Sequence, residues 1–400
     1  MTKVLLVMPF FYPHKGGSQK YAEELYSHLL KLFPGQYQVD VLAYNTDHAP
    51  KFESYQGLNI HRIPCFQLIP ARFCLPHPFA LIRKLIQLSK NKYNFVNAQL
   101  VFFDPCWWLW LFARLIKAKS IFTEHVASYP VHQNHLVEII SKIIDKTIGR
   151  FSINRYDIVT VTNQAATQFL RQKLHFHRQP INLIYGGVDT SFFSPKKNIS
   201  HIVPVINQKI PKNSLIITFV GRVIWTKGIT YLYQAIKDLI PQIPDNIYFV
   251  IAGGGELEVN LKQKIVSDNF SDRVFVTGFI PYDKVRDILQ ITDIFVTPSH
   301  HNEGFPNTIL EAGACQNFVI ATNNAGTKEI IKNKQTGLLI PQKDQNALNQ
   351  SLLWAINHKL ERKIMAHNLR QLTVSKFDWN KIAVSFHHLL QKSKDRYIST

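Results

Sequence analysis

Twice along this chain, short β-branched and apolar runs alternate with longer stretches of helical periodicity, and no other feature limits its fold so strongly. The first series passes through Val4 to Met8, Val39 to Ala43, Phe95 to Ala98, Ser120 to Thr123 and Ile158 to Val161. The second passes through Leu215 to Val220, Ile247 to Ala252, Val274 to Thr277, Ile294 to Thr297 and Phe318 to Ala321. Strand, helix and strand in succession build a parallel sheet covered on both faces, so each series predicts one doubly wound α/β unit. A length of 400 residues exceeds what one hydrophobic core usually serves, which also favours two units.

Between the series, after Gly186-Gly187-Val188-Asp189, comes a polar stretch with prolines and no helical period, and the interdomain linker is expected there. This gives units over 1–195 and 196–377. Near the end, Asp378 is a good N-cap for a helix over Trp379 to Gln391, with Ile382, Ala383, Phe386 and Leu390 at helical spacing.

Composition removes several classes. A 46% hydrophobic share with 12% aromatics excludes a disordered chain. The four cysteines, Cys65, Cys74, Cys106 and Cys315, form no CxxC pair and are too sparse for a disulfide framework, so they read as buried apolar residues of a reducing compartment. The opening MTKVLLVMPFFYP reads as a first strand rather than an export signal. The most apolar window, Val101 to Ile116, contains Asp104, Pro105 and Arg114 and falls short of the roughly 20 residues that cross a bilayer. A cytoplasmic location is the expectation.

The formal charge is +19, from 46 Lys and Arg against 27 Asp and Glu. Residues 1–195 hold 21 basic and 11 acidic side chains and the remainder 25 and 16, so the excess is spread over both halves. Nucleic-acid binding would call for a concentrated stripe or a known module, and neither is present; phosphorylated small molecules and anionic lipid surfaces fit better. Phe79 to Lys90 could form an amphipathic helix with Arg83, Lys84 and Lys90 beside an apolar side, either for a membrane surface or as an ordinary core-packed helix.

Three places carry chemistry. Gly16-Gly17 follows the first strand and opens a helix, which lets the backbone approach a ligand, although GxGxxG is not met. Arg222 and Lys227, five apart just past the first strand of the second series, suit a diphosphate: Arg grips oxygens bidentately and Lys adds a point charge. Glu303 and Glu311 enclose seven residues, with Gly304-Phe305-Pro306-Asn307-Thr308 among them. Pro306 favours a helix start, leaving Glu303 on a loop and Glu311 about one turn inside, while amides near Asn307 and Thr308 suit a phosphate. Carboxylates there suit sugar or ribose hydroxyls. Ala312-Gly313-Ala314 gives that helix a slim packing face. His125 follows a strand whose C-terminal end points into the crevice of an open sheet; His300 and His301 lack ligand spacing, and no metal is expected.

These residues together resemble family four of the glycosyltransferases, the large retaining group with the GT-B fold, whose mark is E-x7-E. The resemblance spans nearly the whole chain: the glycine loop, Thr123-Glu124-His125, Gly187-Val188-Asp189, Arg222 and Lys227, Thr277-Gly278-Phe279, the glutamate motif and Phe377-Asp378-Trp379. It implies two Rossmann-like domains facing a central cleft, with the terminal helix from Asp378 crossing back to complete the first. It implies that Gly16 and Gly17 lie against donor phosphate and acceptor, that Arg222 and Lys227 bind the diphosphate, and that Gly278 and Phe279 hold the base through backbone groups. Glu303 would contact the transferred sugar, Glu311 the ribose, and His125 the reacting sugar. The chain departs from relatives at Gly186, at Ala325-Gly326-Thr327, and at Asn97 and Gln99, where histidines are frequent.

The expected activity is therefore retaining transfer of a hexose from a nucleoside diphosphate sugar to a carbohydrate or lipid-linked hydroxyl, without cofactor or metal. No carboxylate is clearly placed as a glycosidase-type nucleophile, so front-face substitution fits, with the leaving diphosphate assisting removal of the acceptor proton. Cell-envelope polysaccharide, lipopolysaccharide or glycolipid synthesis at the inner membrane face is the expected setting. The alternatives are a non-catalytic nucleotide-sugar-binding module and a sucrose- or glycogen-type synthase with a soluble acceptor.

Overall fold

The computed structural model describes residues 1–14, 16–69, 73–129, 135–178, 180–195, 210–211, 213–300 and 304–395. The chain divides into two compact units, Met1–Gly186 with Trp379–Thr400, and Gly187–Asp378. The division thus falls at Gly186, ahead of the polar stretch expected to link the units, most of which (196–209) lies outside the described residues. Packing explains the shift. Val188 forms a parallel bridge with Asp378, the Phe192 ring stacks on Tyr282, and Gln290 donates to the Ser194 carbonyl at 2.9 Å, so 187–194 is held by the second unit.

The first unit contains β1 (Thr2–Met8), α1 (Gly17–Leu32), β2 (Tyr37–Tyr44), β3 (Phe52–Tyr55), β4 (Leu58–Ile63) and the hairpin β5 (Cys65–Ile69) with β6 (Phe73–Pro76). It continues with α2 (Pro78–Ser89), β7 (Phe95–Gln99), α3 (Asp104–Leu115), β8 (Lys119–Glu124) and α4 (His135–Ile144). A π turn (Asp145–Gly149), α5 (Arg150–Ile153), β9 (Ile158–Val161), α6 (Gln164–Gln172) and β10 (Ile181–Leu183) follow. Its main sheet has the order β10-β9-β8-β7-β1-β2-β4-β3, parallel except for β3 against β4. Side chains alternate between the two faces of a strand. Leu5 and Val7 therefore join one core with residues of α2, α3, α5 and α6, while Val4, Leu6 and Met8 join another with α1.

The second unit contains β11 (Leu215–Val220), α7 (Ile229–Leu239), β12 (Ile247–Ala252), α8 (Glu258–Ser267), β13 (Val274–Gly278) and α9 (Tyr282–Ile291). Then come β14 (Ile294–Thr297), α10 (Asn307–Ala314), β15 (Phe318–Thr322), α11 (Thr327–Ile330), β16 (Leu338–Ile340), α12 (Gln345–Asn357) and α13 (Lys359–Lys376). All six strands are parallel in the order β13-β12-β11-β14-β15-β16.

The final helix, α14 (Trp379–Asp395), returns to the first unit. Trp379, Ile382, Phe386 and Leu390 are each at most 4% exposed there, in the core shared with α1. Burying each such side chain contributes roughly 1.5–3 kcal/mol, which is ample to fix the helix on that sheet. Asp378 stands just ahead of it, and its carboxylate accepts hydrogen bonds from the Thr190 amide and hydroxyl.

Candidate active site

In an open parallel sheet, ligands bind beyond the carboxyl ends of the strands, where the strand order reverses. In the second unit β11 has β12 on one side and β14 on the other, so the reversal lies between β11 and β14. The loops leaving these two strands carry Arg222 and Lys227, and the approach to Glu311. They are knitted together: the His300 amide donates to the Thr226 carbonyl at 3.1 Å, and a Cβ on Gly228 would stand 2.0 Å from the Pro298 carbonyl oxygen. Gly228 also has φ +71, which favours glycine, and it caps α7.

Val223 is fully buried and anchors the β11 loop, its amide donating to the Gly254 carbonyl at 2.8 Å and its carbonyl accepting from Leu257 at 3.0 Å. That anchor leaves Arg222 exposed and Lys227 half-buried on either side of it. The partner segment Gly253-Gly254-Gly255 escaped the sequence reading, although a glycine run directly after a strand is itself a signal. A Cβ on Gly253 would lie 1.9 Å from the Gly221 carbonyl oxygen, and one on Gly255 would lie 2.5 Å from that of Val223. Gly278 ends β13 at φ +70, and Phe279 after it is 75% exposed.

Helix α10 begins at Asn307 with Pro306 as its N-cap residue, so Asn307 and Thr308 occupy the first turn, where amides have no acceptor within the helix. Glu311 is 5% exposed, and its Oε1 accepts a 2.7 Å hydrogen bond from the Tyr282 hydroxyl. Gly304 and Phe305 lie before the helix; a Cβ on Gly326 would come within 1.8 Å of the Gly304 carbonyl oxygen, so this approach requires glycine at 326. Gly313 packs on α13, where a Cβ would meet Thr373 Oγ1 at 2.8 Å. Glu303 and His301 lie outside the described residues.

In the first unit the strand order reverses between β1 and β7. The glycine loop leaves β1 there. Gly16 is the N-cap residue of α1 with extended backbone, and a Cβ on Gly17 would have no atom within 4 Å. Neither glycine adopts a left-handed φ, so what they contribute is the missing side chain.

His125 follows β8, and its Nε2 lies 2.8 Å from Gln99 Oε1. Its carbonyl accepts from Asn163 Nδ2 at 3.0 Å, and Tyr21 meets the ring edge-on at 4.8 Å between centroids. Burial holds the imidazole down at about 3, hence neutral. Since Gln99 Oε1 can only accept, the Nε2 nitrogen carries the proton. Asn97 is 1% exposed and serves the interior, accepting from Tyr26 and donating to Thr123 Oγ1 and the Ile121 carbonyl. Asn97 thus serves the interior of the sheet, whereas Gln99 holds the His125 ring.

Behind His125, Glu124 is fully buried; Oε1 accepts from the amides of His125 and Val126, and Oε2 from that of Val101. Burial pushes its carboxyl up to about 7. Asp145, in the π turn, is pushed to about 7 by burial and then by Glu124, and both its oxygens are buried without a hydrogen-bond partner. No group of three or more His, Cys, Asp or Glu suited to a metal occurs among the described residues, and no described helix is long and apolar enough to cross a membrane.

Two doubly wound α/β units, with the candidate residues at their strand ends, are the architecture of a GT-B type glycosyltransferase. Residues 205–372 match the model for glycosyl transferases group 1, and residues 15–192 match that for glycosyltransferase family four; the chain belongs to this family. An uncharacterized glycosyltransferase of Methanocaldococcus jannaschii is 25% identical over 98% of this chain and 99% of its own. An Escherichia coli UDP-Gal:alpha-D-GlcNAc-diphosphoundecaprenol alpha-1,3-galactosyltransferase is 32% identical over 57% of this chain and 56% of its own. Among solved structures, sucrose-phosphate synthase from Thermosynechococcus elongatus superposes with a TM-score of 0.78 over all of both chains at 20% identity.

Proposed function

We propose that this glycosyltransferase moves a hexose from a nucleoside diphosphate sugar to an acceptor hydroxyl with retention of anomeric configuration. The observation that carries the reading is the placement of Arg222, Lys227 and the helix of Glu311 on the two loops flanking the strand-order reversal of the second unit. The cations take the diphosphate, backbone around Gly278 and Phe279 takes the base, Glu311 takes the ribose, and Glu303 takes the transferred sugar. First-turn amides at Asn307 and Thr308 add donors for phosphate oxygens.

In the proposed step the bond from the anomeric carbon to the diphosphate oxygen breaks, and the bond to the acceptor oxygen forms on the same face. The acceptor proton passes to a leaving phosphate oxygen. Arg222 and Lys227 stabilise the charge gathering on that group as it departs. His125, neutral and fixed by Gln99, stays beside the reacting sugar without supplying a proton, and Gly16 and Gly17 leave room for the donor phosphate and the acceptor. The role requires no metal or other cofactor.

The acceptor we favour is lipid-linked, as part of cell-envelope polysaccharide, lipopolysaccharide or glycolipid synthesis at the inner membrane face. The E. coli relative's name, which pairs UDP-Gal with a diphosphoundecaprenol acceptor, supports that choice. The test is a thermal-shift panel of nucleotide sugars, followed by incubation of the best stabiliser with lipid-linked acceptors and NMR of the product anomer. An α-linked product from an α-linked donor is expected. An inverted product, or saturable binding without turnover on every acceptor, would end the proposal.

A further inference from the structure

Helices α2, α3 and α5 each bury one face in the same core on one side of the first sheet. Their outer faces remain apolar. On α2, Phe79, Ile82 and Ile86 recur three and four apart and are 79%, 56% and 61% exposed, while Ala80, Leu81, Leu85 and Leu88 pack inward. The helix is thus core-packed on one face and keeps an exposed apolar stripe on the other. On α3, Leu111 and Leu115 lie one turn apart at 48% and 75% exposed, and on α5 Phe151 is 54% exposed. Phe151 meets Trp110 of α3 at 6.3 Å between rings, with the Arg155 guanidinium over both, so α3 and α5 share one surface.

The opposite side of the sheet is different. Among the described residues, α1 and α14 expose no large apolar side chain. Charge follows the same sidedness. From Ser54 to Phe103 the chain has no acidic residue at all. From there to Arg155 the only acids are Asp104, Glu124 and Asp145, which are buried, and Glu138, which pairs with Lys142 at 2.9 Å. Arg83, Lys90, Arg114, Lys117 and Arg150 are all exposed along these helices. A layer with exposed apolar stripes, exposed cations and no free acid is complementary to an anionic bilayer, whereas a soluble partner of mixed charge would meet no acid on it.

We propose that the outer layer formed by α2, α3 and α5 docks on an anionic membrane surface. Its apolar stripes enter the headgroup boundary and its cations pair with lipid phosphates. The proposal does not depend on the sugar-transfer reading, and its test uses no sugar substrate. Full-length protein is floated with phosphatidylglycerol vesicles and with phosphatidylcholine vesicles, and hydrogen exchange of Pro78–Ser89 and Asp104–Leu115 is followed on each.

The wild type is expected to partition at least tenfold more strongly onto the anionic vesicles, with slowed exchange in both helices and release by high salt. F79S/I86S and L111S/L115S should each reduce partitioning at least tenfold with an unchanged thermal midpoint. V259S/V266S, which alters α8 of the second unit at 68% and 66% exposure, should leave it intact. Equal binding to both vesicles, no binding, exchange unchanged in α2 and α3, or equal losses in all three variants would overturn the proposal. So would a soluble dimer dissociated by the α2 and α3 variants, which would assign the layer to self-association.

Discussion

The Tyr282 hydroxyl donates a 2.7 Å hydrogen bond to Oε1 of Glu311, joining the first residue of α9 to the fifth of α10. Tyr282 is itself held by Phe192, stacked at 5.6 Å, and by Phe193, edge-on at 5.2 Å. One carboxylate oxygen is thereby fixed, and the orientation of the other follows. A hydrogen bond of this kind contributes about 1.5–3 kcal/mol when one partner is charged, roughly 10- to 100-fold in affinity, as an upper range for an indirect effect. Tyr282→Phe should weaken nucleoside diphosphate binding and narrow the preference for ribose over 2′,3′-dideoxyribose. Titration calorimetry on both nucleotides checks this, and an unchanged preference counts against the ribose role of Glu311.

His125 should remain neutral with its proton on Nε2 from pH 5 to 9, because burial holds its pKa at about 3 and Gln99 Oε1 accepts that proton. Nitrogen-15 NMR of the imidazole reads both features. Gln99→Glu places a carboxylate against the ring and should raise its pKa by at least two units, whereas Gln99→Leu should remove the tautomer preference. A charged His125 at pH 6 in the wild type would contradict this geometry.

Glu124 and Asp145 are both held near 7 by burial, against ordinary values of 4.5 and 3.8. Between those limits the folded chain keeps protons that the unfolded chain releases. Stability from this source is therefore complete in acid and is lost as pH rises through about 7. Asp145→Asn should raise the thermal midpoint at pH 8, where a gain of about 1–2 kcal/mol corresponds to roughly 2–8 °C, and change it little at pH 4. Equal effects at both values would mean that Asp145 is not titrating in this range.

Gly253 and Gly326 are required by close backbone approach, with a Cβ placed 1.9 and 1.8 Å from the carbonyl oxygens of Gly221 and Gly304. Gly253→Ala and Gly326→Ala should displace the loops of Arg222 and of α10, weakening nucleoside diphosphate binding at least tenfold in titration. A folded alanine variant that binds normally would show that these loops do not shape the site.

Most of the sheet framework was legible because it rests on periodicity within short segments. All ten strands anticipated from β-branched runs are present, and their ends move by no more than a few residues. The glycine loop, Arg222, Lys227 and Glu311 stood out because residue types suited to phosphates and hydroxyls follow strands at short offsets, and the structure places them on loops and helices that follow strands at the two strand-order reversals. Tyr282 was not found, and Gln99 stood out only as a departure from the family pattern. Their importance lies in hydrogen bonds to residues 29 and 26 positions away, which no local pattern encodes. Gly326 stood out only as a departure from a two-glycine turn, and its contact with Gly304 depends on β14 and β15 being neighbours. The exposed stripe of α2 was half legible: the apolar spacing was visible, but which apolar residues face the core depends on the sheet beneath.

At the heart of the proposed function is the contact of a diphosphate with Arg222 and Lys227 on the β11 loop. Its most direct measurement is a calorimetric titration of the best-binding nucleoside diphosphate, and of the same nucleoside without phosphates, into wild type, Arg222→Ala and Lys227→Ala. Each substitution is expected to weaken the diphosphate at least tenfold and leave the nucleoside unchanged. Equal diphosphate affinity in all three proteins, or a loss shared equally by the nucleoside, would contradict the account.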